Sequence, residues 1–355
     1  MIASVATTSV TTPAKASSAV SIRVWLVGLF IAAVCWGSAL QPIAAYATDA
    51  GSHAGSNESP TRLVSLNPSL TAIVLRLGAG EMLVGIDDYS ARLLPELSDL
   101  PRVGGLFDPG LESIVSLRPD RVLLVAGINQ QTHATRLEKL GLEVEIYRNE
   151  RLDEVLENIE RLGALLDREP AARDRIRAIL DMREAVSVTT KSRKRPSTVA
   201  IVDRSPLYLV GAETFLDEML HSVGAENLGR QLAAGYPRGS IEWLISSRPE
   251  LLLDLTPGAA SAVDFWSRWP SIPAVATKRV FDVDPTHISI PGPDLDRALR
   301  ELAVAVHGQE IEAEIDRVLR DRRSRRPSDE PPSLVESAES ARLGQSVEES
   351  TRDSQ

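Results

Sequence analysis

Short apolar runs and longer amphipathic stretches alternate along this chain. Arg62-Leu63-Val64-Ser65-Leu66 alternates like a strand, and Leu83-Val84-Gly85-Ile86, Val122 to Val125 and Val144-Glu145-Ile146-Tyr147 are further strand candidates. Between the first two, Ser69 to Leu77 has helical spacing and ends at Gly78-Ala79-Gly80-Glu81, with Ser69 placed to cap its start and glycine to end it. Thr214 to Val223, ending at Gly224-Ala225-Glu226, repeats that arrangement. A second repeat is closer. Aligning Glu112 with Glu242 superimposes Gly110 to Leu123 on Ser240 to Leu253, so that Glu, Ser, Arg and Pro coincide and Asp120 falls on Glu250. Each copy reads as a short helix, a stop marked by proline and a buried strand, which is half of a βαβ unit. Two segments recurring in the same order predict an α/β fold of two lobes with parallel sheets, related by duplication.

The second lobe draws its strands from Thr198 to Val202, Leu207 to Gly211, Leu251 to Leu253 and Val280 to Val283, and Asp296 to His307 is its closing helix. From Leu152 to about Thr190 the period is helical throughout, with Leu152, Val155, Leu156, Ile159, Leu162, Leu165 and Leu166 on one face. Unbroken, this helix would be roughly 50 Å long, a rigid strut between the lobes; Pro170 either kinks it or marks two helices. The expected divisions are a signal peptide over 1–47, a flexible linker over 48–61, an N-terminal lobe over 62–151, a backbone helix over 152–195, a C-terminal lobe over 196–308, and a helix end with a disordered tail over 309–355.

Open α/β sheets bind ligands beyond the C-terminal ends of their strands. The loops predicted there are Asp87 to Ser90, Pro101 to Gly110, Ala126 to Gln131, Gln231 to Gly239 and Pro285 to Pro293. The side chains they offer include Tyr89, Arg102, Phe107, Asn129, Tyr236, Arg238 and His287.

The net charge of -10 argues against a nucleic-acid partner, which requires clustered Lys and Arg; the one basic run, Lys191 to Arg195, is short. Val24 to Leu40 is apolar, is preceded by Lys15 and Arg23, and is followed by Ala45-Tyr46-Ala47, the pattern of an export signal cleaved after Ala47. The alternative is retention as a membrane anchor, although 17 residues is short for a roughly 30 Å hydrocarbon core. Cleavage would remove Cys35, the one cysteine, and with it any disulfide, thiolate nucleophile or cysteine metal ligand. Gly78, Gly80 and Gly85 do not form a dinucleotide fingerprint, there is no phosphate-cradling Gly-Lys-Ser/Thr loop and no Gly-x-Ser-x-Gly elbow, and the five histidines are scattered. The reading is a binding protein, not an enzyme, with neither cofactor nor resident metal.

Arg62 to Ser69, Val84-Gly85-Ile86, Leu100-Pro101-Arg102-Val103-Gly104-Gly105, Leu111-Glu112 through Arg118-Pro119-Asp120, and Gly292-Pro293 resemble the iron-siderophore and cobalamin periplasmic binding proteins of ABC importers, over roughly Arg62 to His307. The resemblance implies the class III architecture: two Rossmann-like lobes joined by a long backbone helix, with a corrinoid or ferric-siderophore chelate held between them. It implies a periplasmic monomer that delivers its ligand to an ABC permease dimer in the inner membrane, docking through Glu112 and Glu242, one on each lobe. Tyr89 matches an aromatic position that stacks on corrin in cobalamin binders, and Phe107 lies beside another; the second lobe has Tyr236 and His287 where tryptophans would be expected. Haem-binding relatives carry a tyrosine where this chain has Gly105, whereas Arg102, Arg238 and Tyr89 could meet an anionic iron chelate. The alternatives are a haem-binding receptor or an enzyme of the nitrogenase-like or chelatase-like two-lobed folds.

Overall fold

A computed structural model describes residues 61–105, 108–127, 130–256, 260–283, 288 and 290–325. The expected signal peptide, the linker, Phe107, Asn129, His287 and the chain beyond Arg325 lie outside the described residues.

In the first lobe the elements are β1 (Leu63–Ser65), α1 (Pro68–Arg76), β2 (Leu83–Ile86), α2 (Asp88–Leu93), α3 (Leu111–Ser116), β3 (Arg121–Val125), α4 (Gln130–Lys139) and β4 (Glu143–Tyr147). Its four strands run parallel in the order β2-β1-β3-β4. Two helices follow, α5 (Leu152–Leu165) and α6 (Glu169–Thr190). The second lobe contains β5 (Ser197–Arg204), β6 (Leu207–Leu209), α7 (Phe215–Ser222), β7 (Glu226–Asn227), α8 (Ile241–Ser247), β8 (Leu251–Asp254), α9 (Ala262–Trp266), α10 (Pro273–Ala276), β9 (Val280–Asp282), α11 (Leu295–His307) and α12 (Glu310–Arg325). Its sheet has the order β6-β5-β8-β9, with β7 also paired to β5.

The duplication is visible element by element. The unit β5-α7-β7 repeats β1-α1-β2, while β8 and β9 take the places of β3 and β4. Gly78 and Gly224 end their helices at φ +74° and +73°, a conformation that costs glycine little. One strand breaks the symmetry: β6 runs antiparallel to β5, because only the turn Ser205-Pro206 separates them.

Three expectations need correction. The cap of α1 is Asn67, whose side chain accepts from the Ser69 N–H; Ser69 lies inside the helix. The stretch after Leu152 is two helices, the alternative that Pro170 left open, and not one 50 Å strut. The chain reverses between Leu165 and Glu169, Pro170 stands in the first turn of α6, and α6 returns along α5, so that Arg183 sits 3.3 Å from Asp153 while Gly163 meets Ala172 near the turn. The long backbone helix is α6 alone, 22 residues. Finally, His307 does not close the lobe: α12 follows and buries Ile311 and Ile315 against α6 and α11.

One hydrophobic core runs through α1, α5, α6, α7, α11 and α12, from Leu70 and Ile73 to Phe215, Leu299 and Ile315, so the helices of the two lobes share a single buried layer. Smaller clusters fill the other face of each sheet, with Val64, Ile114 and Val122 in the first and Leu244, Leu252 and Trp266 in the second. The two-lobed α/β architecture read from the repeats is the one observed.

Candidate functional site

Each lobe ends its edge strand in a loop held by main-chain hydrogen bonds. In the first lobe, Ile86 N donates to Pro101 O and Val103 N to Ile86 O, which lays residues 101–104 alongside β2. In the second, Leu209 N donates to Pro237 O and Gly211 N to Gly235 O, binding residues 233–239 to β6 and its continuation. Gly211 is required for this approach, since a Cβ there would sit 2.2 Å from the Ala233 carbonyl oxygen. These two loops carry Arg102, Tyr236 and Arg238, and all three are exposed. The Arg102 and Arg238 guanidiniums have no ion-pair or hydrogen-bond partner among the described residues, so their charge is available to a ligand.

Tyr89 stands on the first turn of α2 directly after β2, is 46% exposed and has the Arg92 guanidinium 4.2 Å from its ring centroid. Asp87 sets this position. Fully buried, it accepts from Tyr89 N at 2.8 Å, Ser90 N at 3.0 Å and the Ser90 hydroxyl, capping α2. Burial pushes its carboxyl above the usual range, and the bonds from Ser90 and Tyr89 oppose that rise. Behind it, the Thr71 hydroxyl lies 2.9 Å from Ser90 Oγ and 2.8 Å from Ser65 Oγ, a buried polar chain beneath the mouth of the lobe.

The equivalent mouth of the second lobe is built around Asp254, at the end of β8. Its carboxylate accepts from Arg204 at 2.8 Å, Trp266 Nε1 at 2.6 Å, and the N–H and hydroxyl of Thr256 at 3.1 and 2.7 Å. Arg204 and Asp254 are both buried, and Arg204 also donates to Ala260 O and approaches the Phe265 ring at 4.7 Å. Sequence reasoning missed this pair: Arg204 and Asp254 are fifty residues apart, and nothing short of the β5–β8 register brings them together. Trp266 is fully buried in the core of the lobe, and partly buried Trp269 packs against it.

Glu112 and Glu242 occupy the same place in the two lobes, the second residue of α3 and of α8, and both are exposed. The Glu242 carboxyl is held below the usual range by its own N–H and the Ser240 side chain. The predicted site residues thus fall into two groups: Arg102, Tyr236 and Arg238 on strand-end loops with Tyr89 at the start of α2, and the glutamates on the repeated helices. Two cavities of about 310 and 360 Å³ lie elsewhere, between α6, α11 and α12 and beside the end of β4, and contain none of the predicted ligand residues. No cluster of three or more potential metal ligands occurs among the described residues.

The profile of the family described as periplasmic binding protein matches residues 63–286. A substrate-binding lipoprotein of an ABC transporter from Bacillus subtilis is 27% identical over 260 residues, 70% of this chain and 81% of its own length. A vitamin B12-binding protein of Vibrio parahaemolyticus is 27% identical over 251 residues, covering 69% and 89%. Among solved structures, the apo form of a periplasmic haem-binding protein from Roseiflexus superimposes with a TM-score of 0.62 at 23% identity, over 72% of this chain and all of that one; at this identity the likeness concerns the fold.

Proposed function

The chain belongs to the periplasmic binding protein family, and from that premise we propose that it is the substrate-binding protein of an ABC importer that captures a corrinoid, or a related metal chelate, between its lobes. The observation that carries this reading is the pair of anchored strand-end loops with their exposed side chains, Arg102 in the first and Tyr236 and Arg238 in the second, together with exposed Tyr89 on α2. A tyrosine face can lie against a flat macrocycle, and an unpaired guanidinium can meet the amide oxygens of a corrin or the negative charge of an iron chelate. The vitamin B12-binding relative from Vibrio favours the corrinoid. In this role the protein binds and releases without turnover, and its partner is a dimeric permease engaged by Glu112 and Glu242. It works as a monomer in the periplasm, the N-terminal segment either cleaved or kept as an anchor; among the described residues no helix is long and apolar enough to cross a membrane. The shared helical core limits lobe motion, so affinity comes from a largely preformed groove.

Calorimetric titration of the mature chain with cyanocobalamin, haem and several ferric siderophores tests the ligand assignment. Saturable binding of cyanocobalamin is expected, weakened about tenfold by Y89A or Y236A, the equivalent of about 1.4 kcal/mol. Binding of haem alone, or of none of the three, overturns it. The E112A/E242A double variant should retain ligand affinity and lose uptake; lost affinity would contradict the docking role.

A further inference from the structure

Both repeated helices are followed by a residue in the left-handed backbone conformation, and in neither case is it glycine: Arg118 has φ +47° and Arg248 φ +50°. A side chain there is strained, and the proline that follows each arginine restricts the backbone further. Glycine or asparagine is the relaxed choice, and this chain uses glycine at the ends of α1 and α7. Arginine nevertheless stands at the equivalent place in both lobes.

The local structure does not use either guanidinium. Both arginines are exposed, and neither side chain has an ion-pair or hydrogen-bond partner among the described residues. A cation at a helix C-terminus usually meets the last carbonyls. In the first lobe that task belongs to Arg62, which donates to Leu117 O at 2.7 Å and to Arg118 O at 3.1 Å. The acids that follow are also engaged: Asp120 accepts from Arg62 N at 2.7 Å and Glu250 from Ser197 N at 3.3 Å, each tying the helix end to the first strand of its lobe. The two arginines are therefore held in place with their charge unspent.

Six residues separate Glu112 from Arg118 and Glu242 from Arg248, about 9 Å of helical rise. Each lobe thus presents an acid at the start of a short helix and a free base just beyond its end. We propose that the docking footprint of each lobe runs the full length of this helix, with Arg118 and Arg248 each facing a carboxylate on one subunit of the permease dimer. The inference rests on the docking role of Glu112 and Glu242 and adds a second contact of opposite sign. A second contact of opposite sign in each lobe matches the polarity of the helix to the partner surface and rejects one with like charges opposite the arginines.

The test measures association of the full-length chain with the permease–ATPase complex of the same organism's corrinoid importer, held in lipid nanodiscs. Four double variants are compared with wild type: R118G/R248G, R118K/R248K, R118E/R248E and E112A/E242A. Glycine suits the positive φ, so R118G/R248G should keep or raise the melting temperature while weakening docking about tenfold, with the loss in the association rate and diminishing as salt is added. R118K/R248K should retain most of the affinity, and R118E/R248E should lose more than the glycine variant. Wild-type docking by R118G/R248G, with E112A/E242A impaired, overturns the inference and leaves the glutamate role intact. Weak docking by R118G/R248G with normal docking by E112A/E242A removes the glutamates and overturns the two-contact footprint. Normal docking by both, or no docking by wild type, overturns both assignments.

Discussion

Asp254 concentrates much of the second lobe's local order in one carboxylate. Its two oxygens receive four hydrogen bonds, from Arg204, Trp266 and Thr256, with both charges buried. Removing one member of such a pair leaves the other uncompensated, so D254A should destabilise the protein by about 3–5 kcal/mol in urea unfolding. His307 offers a second measurement. Its Nε2 lies 2.8 Å from Val223 O, and burial lowers its pKa, with the Val223 hydrogen bond opposing and Arg193 and Arg279 assisting. A lowered folded pKa means that the unfolded chain binds the proton more readily. The stability this histidine contributes is present above about pH 6.5 and is lost as pH falls through its lower folded value. H307Q keeps a donor for Val223 and should flatten the fall in melting temperature between about pH 7 and about 5; an unchanged slope would assign that fall to other groups.

Among the elements, the α5–α6 pair depends on one small residue. A Cβ on Gly163 would come within 2.4 Å of Ala172 Cβ, so glycine is what allows the two helices to reverse and close upon each other. G163A should cost about 1–3 kcal/mol by overpacking, read from the urea midpoint. At Gly78 nothing lies within 4 Å of the added Cβ and the cost of alanine is conformational alone, about 1 kcal/mol. The α12 helix shows how a legible signal was lost among charges. Ile311, Ile315, Val318 and Leu319 follow one helical stripe and pack on the core, but arginines and acids dominate the segment, and its apolar face has meaning only once α6 and α11 are there to receive it.

At the scale of the whole molecule, polar ties join the first lobe to the start of α11. Arg76 pairs with Asp294 at 2.6 Å and Ser69 donates to Pro291 O, while Arg175 of α6 donates to Pro293 O at 2.6 Å. A further tie crosses at α5, whose Leu152 N–H is received by Glu218 of α7 at 2.7 Å. Arg76 is half-exposed, so R76A should change global stability by no more than about 1 kcal/mol. It should still raise hydrogen exchange at the start of α11 and weaken ligand binding, because a loosened lobe contact must be ordered again on capture. Unchanged exchange would show that the hydrophobic layer alone fixes the lobes.

Period and punctuation were written in the sequence, and they were enough for the α/β class, the duplication, the glycine helix ends and the paired glutamates. These are local properties: a helix stripe, a strand run and a capping glycine depend on neighbours a few residues away. The tertiary structure alone decided where α6 turns back, that β6 runs antiparallel, which side chains neutralise Asp254 and which arginines remain unpaired. Those outcomes depend on contacts between residues tens of positions apart, where sequence spacing carries no distance and only packing determines which charges meet.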